Sequence, residues 1–406
     1  MRLTSSAAIA ASALKTHKLR SFLASLGIMI GIGSVVVMVA IGRGSQKESM
    51  DIISRMGENL ITVSAGEMKV RGGRLELEGS VNNITARDAQ LLKEDVPELK
   101  RAAPYEYVQT QVKYKNSATE VRVAGSNLEF LPVRKYEIER GNFFEERDLK
   151  TANRVAVIGY TTIKNIFGDE DPIGQTVRVK SVPFKIIGVF KPKGMDTDGQ
   201  DQDDVFLVPL NALLRRIMNQ TYIRTIYYQV ESKDKMKRAE REIRDWFRSK
   251  HRLREGQPDD FTIQSQVDIE KLKRETAETF TLLIVGVAAI SLVVGGIGIL
   301  AVMLISVRER TREIGMRRAV GASRTDIVQQ FVMESVLIGL LGGAIGIAAG
   351  TGITLGLARW SPWTLILDYQ AIVVSTLVCT AVGIVFGIYP AIKASRLDPM
   401  EALVVE

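Results

Sequence analysis

The hydrophobic pattern of the chain is dominated by four long apolar stretches. A helix needs about 20 predominantly apolar residues to cross the hydrocarbon core of a bilayer. Stretches of this kind cover residues 21–42, 280–307, 327–358 and 371–392, and the third carries one charge, Glu334, near its start. A carboxylate at such a position usually reaches toward the interface or is paired, and a proton relay is the alternative. From the length and low charge of the four stretches we predict four transmembrane helices.

The segment between the first two stretches, residues 43–279, is polar and mixes strand and helix patterns. Short runs of β-branched and aromatic residues bounded by turn residues are typical of strands. Such runs occur at 60–63, 108–114, 119–124, 154–158, 205–208 and 227–230, with a hairpin predicted over 176–190 around Val182-Pro183. We therefore predict an α+β domain that is carried on the first two membrane helices as stalks.

Three helical segments of this domain can be placed from the sequence. Thr85, with Asp88 three residues later, is typical of a capping box at a helix start. Residues 266–279 are polar and helix-prone, and we expect them to continue straight into the second span. Helical spacing over 235–254 predicts a helix with one buried stripe, formed by Met236, Ala239, Ile243 and Phe247.

The distribution of Lys and Arg around the apolar stretches predicts their orientation. Cytoplasmic loops carry an excess of these residues. The first 20 residues contain four basic and no acidic side chains, and residues 308–326 contain six arginines against three acidic residues. The formal net charge of +8 is therefore explained by topology, and nucleic-acid binding is not expected.

The predicted organisation places both termini in the cytoplasm and one large domain outside the cell membrane. In chain order it comprises an N-terminal interfacial helix with the first span (1–42), the extracytoplasmic α+β domain (43–279), the second span (280–307), a cytoplasmic helix (308–326), the third span (327–358), a short outer loop (359–370), the fourth span (371–392) and a cytoplasmic tail (393–406). The interfacial helix is predicted over 4–19, with a frayed lead-in as the alternative. A cleaved signal peptide is disfavoured because the first stretch exceeds the usual apolar core of about 7–15 residues.

Residues that could support enzymatic chemistry are sparse. The chain has one cysteine, Cys379, and two histidines, His17 and His251, so neither an internal disulfide nor a zinc cluster is expected. The P-loop pattern G-x-x-x-x-G-K-[ST] is absent, as are G-x-S-x-G and H-E-x-x-H. We therefore expect a non-enzymatic chain without cofactor or metal, and any ATP would be bound by a partner.

An acidic loop, residues 195–204, contains five aspartates. Clustered carboxylates are the ligands that hard cations prefer. However, the twelfth position counted from Asp196 or Asp198 is Leu207 or Pro209, and the closing Glu of a calcium loop is missing. We interpret the acidic loop as a solvated hairpin loop.

The third apolar stretch contains a ladder of glycines spaced by about one helical turn. Such spacing lets two helix backbones approach closely in a membrane. The packing glycines predicted from it are Gly339, Gly343, Gly346 and Gly350. Whether they pack within one chain or between two chains is left open. No line of polar groups runs along any of the stretches, so a solute path through the bilayer is not indicated.

Residues 307–323 combine alternating charge with a helical pattern that ends at Gly321. A solvated, positive loop is the alternative. The run resembles the signature that follows the second span in the MacB/FtsX-like permease family, the macrolide-exporter type of ABC transporter membrane subunit. Further segments that follow the family order are 56–63, 140–144, 154–159, 167–168, 172–175, 186–189 and 389–403. The resemblance covers nearly the whole chain, but the macrolide exporter begins with a fused ATPase and this chain begins at the first span.

The resemblance implies an ATP-driven export machine in the bacterial inner membrane. It implies a separate ABC ATP-binding subunit, a second copy of this chain paired through the first two spans, surrounding lipid, and possible contact with a periplasmic adaptor and an outer-membrane channel. Substrates would be antibiotics, peptides or lipid-like molecules, moved by force passed to the outer domain. The residues implied to contact the ATPase are Arg308, Arg310, Glu313, Ile314, Gly315, Arg318, Ala319, Gly321 and Ala322.

Two other functional classes are weighed against export. A relative in the same superfamily transports nothing and activates a wall hydrolase, so the alternative is a mechanotransmission subunit that regulates an extracytoplasmic hydrolase or senses a ligand. The strand count of the outer domain resembles the exporter type more closely. A membrane-anchored enzyme would need convergent polar residues in the outer domain, and the sequence indicates none.

Overall fold

The computed structural model describes residues 18–71, 74–78, 83–196, 199–360 and 365–398. The chain divides into two compact units. The first, here called the sheet domain, is Ser49–Lys273, and the second, the helical unit, combines Met1–Glu48 with Arg274–Glu406. Most of the interfacial helix predicted over 4–19, and the end of the tail motif predicted over 389–403, lie outside the described residues.

The helices of the described chain differ widely in length. In chain order they are α1 (Lys18–Arg55), α2 (Ala86–Asp95), α3 (Phe130–Arg134), α4 (Glu146–Thr151), α5 (Tyr160–Phe167), α6 (Leu210–Ala212), α7 (Met236–Lys250), α8 (Gln266–Glu309), α9 (Thr311–Ala319), α10 (Arg324–Trp360) and α11 (Tyr369–Ser395). A π-helical turn at Leu213–Met218 and a 3-10 turn at Lys233–Lys235 are additional. By length and composition, α1, α8, α10 and α11 can each cross a membrane, which matches the four predicted spans.

The strands all lie in the sheet domain. They are β1 (Leu60–Ala65), β2 (Glu67–Arg71), β3 (Arg74–Glu78), β4 (Leu99–Tyr114), β5 (Ser117–Ser126), β6 (Ile138–Gly141), β7 (Val155–Ile158), β8 (Thr176–Val179), β9 (Val182–Phe190), β10 (Phe206–Pro209), β11 (Thr225–Val230) and β12 (Phe261–Ser265). Nine strands follow the order β12-β1-β11-β4-β5-β10-β7-β9-β6, β8 pairs with β4 and β9, and β2 and β3 form a separate hairpin. The sheet is mixed, since β10 runs parallel to β5 and β7 runs parallel to β9.

The long strand β4 connects two lobes of the sheet domain. Its first half pairs with β11, and its second half pairs with β5 and β8. One lobe has a hydrophobic core around Tyr228 and Phe247, and the other has a core around Phe184 and Phe206. The α+β character predicted for this region is therefore confirmed as a fold of two lobes that share one strand.

The middle strands of the sheet are buried on both faces. On β10, Phe206 and Val208 belong to one hydrophobic cluster, whereas the intervening Leu207 belongs to another. On β7, Ala156 and Val157 divide in the same way. Because successive side chains of a strand point to opposite faces, both sides of these strands are covered. This burial explains why their sequences are apolar almost without interruption.

The helix predictions for the sheet domain are confirmed in detail. Helix α2 begins directly after Thr85, whose amide donates to the Asp88 carboxylate at 2.9 Å. The buried residues of α7 are the predicted Met236, Ala239, Ile243 and Phe247. The helix that contains residues 266–279 runs without interruption to Glu309, as expected.

The predicted hairpin over 176–190 has its turn in a different place. Val179 pairs with Val182, so the turn consists of Lys180 and Ser181 and not of Val182-Pro183. Lys180 has a φ of +53°, a left-handed conformation of the kind that tight hairpin turns use. Pro183 lies near the start of β9, a strand position at which a missing N–H is tolerated.

Candidate functional site

Helix α9 follows α8 almost directly and has a well-defined C-terminal end. The Gly321 amide donates to the Arg318 carbonyl at 3.2 Å, and the Ala322 amide donates to the Arg317 carbonyl at 3.0 Å. These two bonds form a Schellman motif. Gly321 has a φ of +103°, which glycine adopts without a Cβ clash. The short helix predicted to stop at Gly321 is therefore present.

The inner face of α9 is apolar and packed. Ile314 and Gly315 are buried. Ile314 shares a hydrophobic cluster with Ile327 and Phe331 of α10 and with Ala394 of α11. Since burying an isoleucine side chain stabilises by about 1.5–3 kcal/mol, this contact holds α9 on the ends of both long helices.

An ion pair ties the start of α9 to α10. Arg310 Nη1 lies 3.3 Å from Oε1 and 3.2 Å from Oε2 of Glu334. The Glu334 side chain is only 6% exposed, and that of Arg310 is half-buried. Removing one partner of such a pair would leave an uncompensated charge in a poorly hydrated place. The expectation that Glu334 is paired is confirmed.

Two further arginines anchor the rest of α9. Arg317 Nη1 donates to Gln330 Oε1 on α10 at 2.7 Å. Arg318 Nη1 donates to the carbonyls of Ser395 and Leu397 at 2.9 and 3.0 Å. Because the last carbonyls of a helix lack partners within it and carry partial negative charge, Arg318 is well placed to stabilise the end of α11. Any displacement of α9 therefore acts on both α10 and α11.

The outer face of α9 exposes apolar side chains. Met316 is 49% exposed and Val320 is 90% exposed. Ala319 is exposed beside them, and Arg308 and Arg312 are exposed at the edge. An apolar centre with a charged rim is the usual composition of a protein–protein interface. We call this surface, formed by Arg308, Arg312, Met316, Ala319 and Val320, the outer face.

The residues that the sequence predicted as ATPase contacts divide between the two faces of α9. Exposed or half-buried at the surface are Arg308, Glu313, Ala319, Gly321 and Ala322; directed into contacts within the chain are Arg310, Ile314, Gly315 and Arg318. ATPase contact by any of them stays a prediction. Sequence reasoning missed Met316 and Val320, although two apolar residues four positions apart in a charged helix were a usable signal.

The predicted packing glycines of α10 fall into two rows, one of which faces α1. A β-carbon on Gly346 would lie 2.6 Å from the Met29 carbonyl oxygen. A β-carbon on Gly350 would lie 2.9 Å from the Gly33 carbonyl oxygen. Separations below 3 Å require the backbones to move apart, so only glycine fits here at this distance.

The second row of glycines faces α11. A β-carbon on Gly339 would lie 2.9 Å from the Cys379 carbonyl oxygen, and one on Gly343 would lie 2.5 Å from Cys379 Sγ. Helices α1 and α8 approach similarly, since a β-carbon on Gly27 would lie 2.7 Å from Gly295 Cα. All these contacts are within one chain, and the four long helices of the helical unit therefore pack through glycine.

One glutamine joins the two segments that lead into and out of the sheet domain. Gln266 Nε2 donates to the carbonyls of Ile53 and Gly57, each at 3.1 Å. Its Oε1 accepts from the Leu60 amide, also at 3.1 Å. The side chain thus connects the first residue of α8 to the end of α1 and the start of β1. We call this arrangement the Gln266 clamp, and the sequence did not predict it.

The acidic loop forms a hairpin, as interpreted from the sequence, but it is solvated only in part. Met195 is exposed and forms a β-bridge with Asp201. Asp203 is buried, and its carboxylate accepts from the amides of Lys193 and Gly194 at 2.7 and 2.9 Å. Asp203 therefore serves as an internal acceptor for a turn. Among the described residues, no group of acidic, His or Cys side chains is arranged to hold a metal ion.

Lys193, which precedes the acidic loop, is largely withdrawn from water. Its Nζ lies 4.2 Å from the centre of the Tyr136 ring and donates to the Arg134 carbonyl. Burial, reinforced by the neighbouring Arg134 guanidinium, lowers the pKa of Lys193 from 10.5 to about 6. The nearby Asp203 carboxylate opposes this shift only in part.

The depressed pKa predicts a pH-dependent stability. From about pH 6 toward 10.5 the unfolded chain binds a proton at Lys193 that the folded chain does not, so the free energy of unfolding should rise with pH in that window. Lys193→Met should reduce this rise by about 1 kcal/mol or more. Denaturant unfolding of the detergent-solubilised chain at stepped pH measures it. Lys191→Met, at an exposed lysine paired with Glu137, should keep the rise of the free energy of unfolding with pH. If this free energy rises equally in both variants, Lys193 is not the cause of the pH dependence.

A further group of residues was missed by sequence reasoning, which indicated no convergent polar residues in the outer domain. The structure brings several tyrosines and two arginines together around a cavity in the sheet domain. The tyrosines and arginines come from β4, β5, β11, α3 and the residue pair after α3, and the acidic loop completes the lining. Each segment taken alone has the sequence pattern of an ordinary strand or loop, and only the order of strands in the sheet brings these side chains together.

The chain is similar to two known protein families and to a solved structure. A family model described as the MacB-like periplasmic core domain matches residues 21–246, and one described as the FtsX-like permease C-terminal region matches residues 285–399. A crystal structure of the periplasmic region of MacB from Actinobacillus actinomycetemcomitans is 22% identical with a TM-score of 0.46, and the match covers 55% of this chain and 97% of that one.

Curated relatives named macrolide export ATP-binding/permease protein MacB match along nearly the whole chain. The protein from Syntrophobacter fumaroxidans is 36% identical over 97% of this chain and 62% of its own length. That from Chlorobium luteolum is 38% identical over 95% of this chain and 58% of its own length. The chain therefore spans about 60% of the length of these relatives. It belongs to the MacB/FtsX-like ABC permease family, with a MacB-like periplasmic core domain followed by an FtsX-like permease region.

Proposed function

We propose that this chain is the membrane subunit of an ABC-type export complex and passes force from an ATP-binding partner to its sheet domain. The observation that carries this proposal is the two-sided construction of α9. Its inner face is fixed to α10 and α11, whereas its outer face exposes Met316 and Val320. Two large apolar side chains exposed side by side in an otherwise charged segment support a docking role for this face.

Membrane insertion is part of the proposal and is supported by the surface of α8. This helix exposes many large apolar side chains, among them Leu282 at 72%. Acyl chains or a second copy of the chain would cover them. The arginine-rich segment around α9 supports a cytoplasmic position for this helix by the positive-inside rule. Both termini would then also lie in the cytoplasm and the sheet domain in the periplasm of a bacterial inner membrane protein.

The route of force within the helical unit follows the contacts of α9. Closure of the ATP-binding partner would press on the outer face, and Ile314, Arg318 and the Arg310–Glu334 pair would pass the displacement to α10 and α11. Helices α1 and α8 continue into the sheet domain, where the Gln266 clamp joins their ends. Coupling of this kind requires two states of the sheet domain whose free-energy difference depends on nucleotide.

Substrate and partners follow from the relatives. Because those proteins are named for macrolide export, we propose efflux of macrolide-like antibiotics, or of peptide or lipid-like molecules. ATP would be bound by a separate ABC subunit, with this chain non-catalytic and free of cofactor. A homodimer paired through α1 and α8, a periplasmic adaptor and an outer-membrane channel would complete the complex. No observation among the described residues favours hydrolase regulation over export.

The outer face provides the decisive test. Met316→Glu combined with Val320→Glu should weaken binding of the ABC ATP-binding partner by about a hundredfold, because charge replaces the apolar centre of the interface. The measurement is co-purification from the native host, with the partner identified by its P-loop sequence and by ATP hydrolysis. Stimulation of that hydrolysis by the chain should fall in parallel.

Met195→Glu is a matched control, since it makes the same change at an exposed methionine of the sheet domain. This variant should retain the partner at the level of the unmodified chain. If the double variant keeps both partner binding and stimulated hydrolysis while remaining folded, α9 does not couple the chain to an ATPase.

A further inference from the structure

Polar contacts tie the last part of α1 within the helical unit to the start of α11. Arg43 Nη2 lies 2.7 Å from Asp368 Oδ2 and donates to Gln370 Oε1 at 3.3 Å. Three positions earlier on α1, the Ala40 carbonyl accepts from the Ile366 amide at 3.3 Å. One ion pair and two further hydrogen bonds therefore join α1 to the segment that begins α11.

Asp368 has a bonding partner on each of the two helices. Its Oδ1 accepts from the Gln370 amide at 3.0 Å, which makes Asp368 the N-cap of α11. A carboxylate is favourable at this place because the first amides of a helix lack partners and carry partial positive charge. The Asp368 side chain is 8% exposed, whereas that of Arg43 is 48% exposed. Loss of their contact would leave the carboxylate with its capping bond and the guanidinium with water.

The close packing of α1 against α10 ends before these polar contacts. A β-carbon on Gly350 would lie 3.0 Å from Val36 Cβ, so the two backbones still touch there. Further along, a β-carbon on Gly42 of α1, or on Gly352 or Gly356 of α10, would have no neighbour within 4 Å among the described residues. The polar contacts of Arg43 thus lie where the glycine packing has stopped.

The two kinds of contact differ in how readily they open. Separating glycine-packed backbones gives up a closely fitted surface. A half-hydrated ion pair contributes little, and segments with few buried apolar contacts open locally at low free energy. Ile366 itself is only half-buried. Helix α1 continues beyond Arg43 into the sheet domain, which begins at Ser49. The part of α1 that leads to the sheet domain is therefore the part most easily released from its neighbours in the helical unit.

We propose that the contacts of Arg43 and Ala40 with Asp368, Gln370 and Ile366 form a reversible latch, here called the Arg43 latch. In its closed state, the one seen here, it holds this part of α1 against the start of α11. In its open state Arg43 is hydrated, Asp368 remains the N-cap of α11, and the glycine packing around Gly346 and Gly350 stays intact. Closure contributes as a half-exposed ion pair does, so removing the pair should shift the equilibrium toward the open state about threefold.

The Arg43 latch is a property of this chain alone. Its use in export rests on the proposed function, because a displacement of α1 driven by an ATP-binding partner would have to open it. The experiments below use the isolated full-length chain in detergent. Their failure would overturn the latch and leave the ATPase-coupling role of α9 standing, whereas failure of the α9 variants to lose the ATP-binding partner would leave the latch standing.

Hydrogen exchange at the Ile366 amide measures opening directly, since this amide is bonded to the Ala40 carbonyl in the closed state. Arg43→Met and Asp368→Asn should each speed its exchange about threefold or more. Asparagine is as good an N-cap residue as aspartate, so Asp368→Asn removes the charge and keeps the start of α11. The double variant should exchange no faster than the faster single variant, because both changes remove the same contact.

Arg359→Met is the matched control, since it makes the same change at an exposed arginine near the end of α10. It should leave exchange at the Ile366 amide unchanged. A rise equal to that of Arg43→Met would show that any loss of charge in this region has the effect, and the latch would be refuted.

Separation of the helices can be measured with spin labels at Lys47→Cys on α1 and Arg359→Cys on α10. Both positions are exposed and neither takes part in the latch. Pulsed electron paramagnetic resonance should show one main distance, and adding Arg43→Met should enlarge the population at longer distance about threefold. The distance distribution should not change with Lys191→Met, a loss of charge at an exposed residue of the sheet domain.

Three results would overturn the proposal. They are unchanged exchange at the Ile366 amide in both single variants, effects of the two variants that multiply in the double variant, and faster exchange without a larger population at longer distance. The last result would mean that the start of α11 frays while α1 stays in place. If Arg43→Met does not fold, Asp368→Asn decides by both measurements.

Discussion

Gly346→Leu is expected to destabilise the helical unit by roughly 3 kcal/mol or more, because a side chain at this point must force two helix backbones apart. The β-carbon alone would lie 2.6 Å from the Met29 carbonyl oxygen and 3.2 Å from Ile32 Cβ. Neither neighbour is the flexible end of a side chain. Thermal unfolding in detergent, followed by circular dichroism and size-exclusion chromatography, measures the loss. We expect little folded chain to accumulate.

Gly356→Leu provides the comparison on the same helix. A β-carbon there has no neighbour within 4 Å among the described residues. Gly356→Leu changes side-chain volume and helix propensity by the same amounts as Gly346→Leu. Because its side chain meets no neighbour, it should leave the melting temperature nearly unchanged. Equal melting temperatures of the two variants would show that α1 and α10 do not pack through Gly346.

Gln266→Leu is expected to lower the free energy of unfolding of the sheet domain by about 2–4 kcal/mol. The substitution removes three hydrogen bonds and leaves the Leu60 amide and the carbonyls of Ile53 and Gly57 without this partner. A leucine has similar size, so the loss would come from the unsatisfied backbone groups. Hydrogen exchange should detect it first at the Leu60 amide, whose protection depends on the glutamine side chain.

Gln90→Leu makes the same replacement at an exposed glutamine of α2 that bonds only to Glu94, at 3.2 Å. It should change the stability by less than about 0.5 kcal/mol. If Gln266→Leu is as stable as Gln90→Leu, the clamp does not hold the two segments together. If Gln266→Leu unfolds more easily but the Leu60 amide keeps its protection against hydrogen exchange, the loss of stability does not come from the clamp.

Features encoded within a few neighbouring residues could be predicted from the sequence. The start of α2 depends on Thr85 and Asp88, which lie in one helical turn. The buried stripe of α7 repeats with the helical period, and the four apolar stretches exceed the thickness of a bilayer. In each case the physical cause is local, because the groups involved lie close together in the sequence.

Features that depend on distant partners could not be predicted in this way. Gln266 lies 206 positions from Leu60, and nothing around it distinguishes this glutamine from a surface residue. The helical pattern of α9 predicted a helix but not which side faces inward, because Arg318 is oriented by carbonyls 77 and 79 positions away. The β8–β9 turn was misplaced because Pro183 signals a turn locally, whereas strand pairing fixed the turn at Lys180.

The cavity illustrates the same limit at the level of a whole site. Tyr105 and Tyr227 are brought together because β4 pairs with β11. The pairing joins Thr225 to Tyr105 in a register set by the hydrophobic cores of the lobe. An aromatic residue in a strand is ordinarily a packing residue, so neither tyrosine indicated a cavity when taken alone.

The burial of the single cysteine gives this chain a practical property. Cys379 has a free thiol enclosed between α10 and α11, with the backbone of Gly339 and Gly343 directly against it. We therefore expect thiol-reactive probes to label Cys379 much more slowly than an exposed cysteine in the folded state. Spin labels or fluorophores attached to pairs of introduced surface cysteines could report distances in the otherwise native sequence. The nucleotide-driven stroke that we propose would then be measured as a change in a distance distribution, without first replacing the cysteine that fills the helix interface.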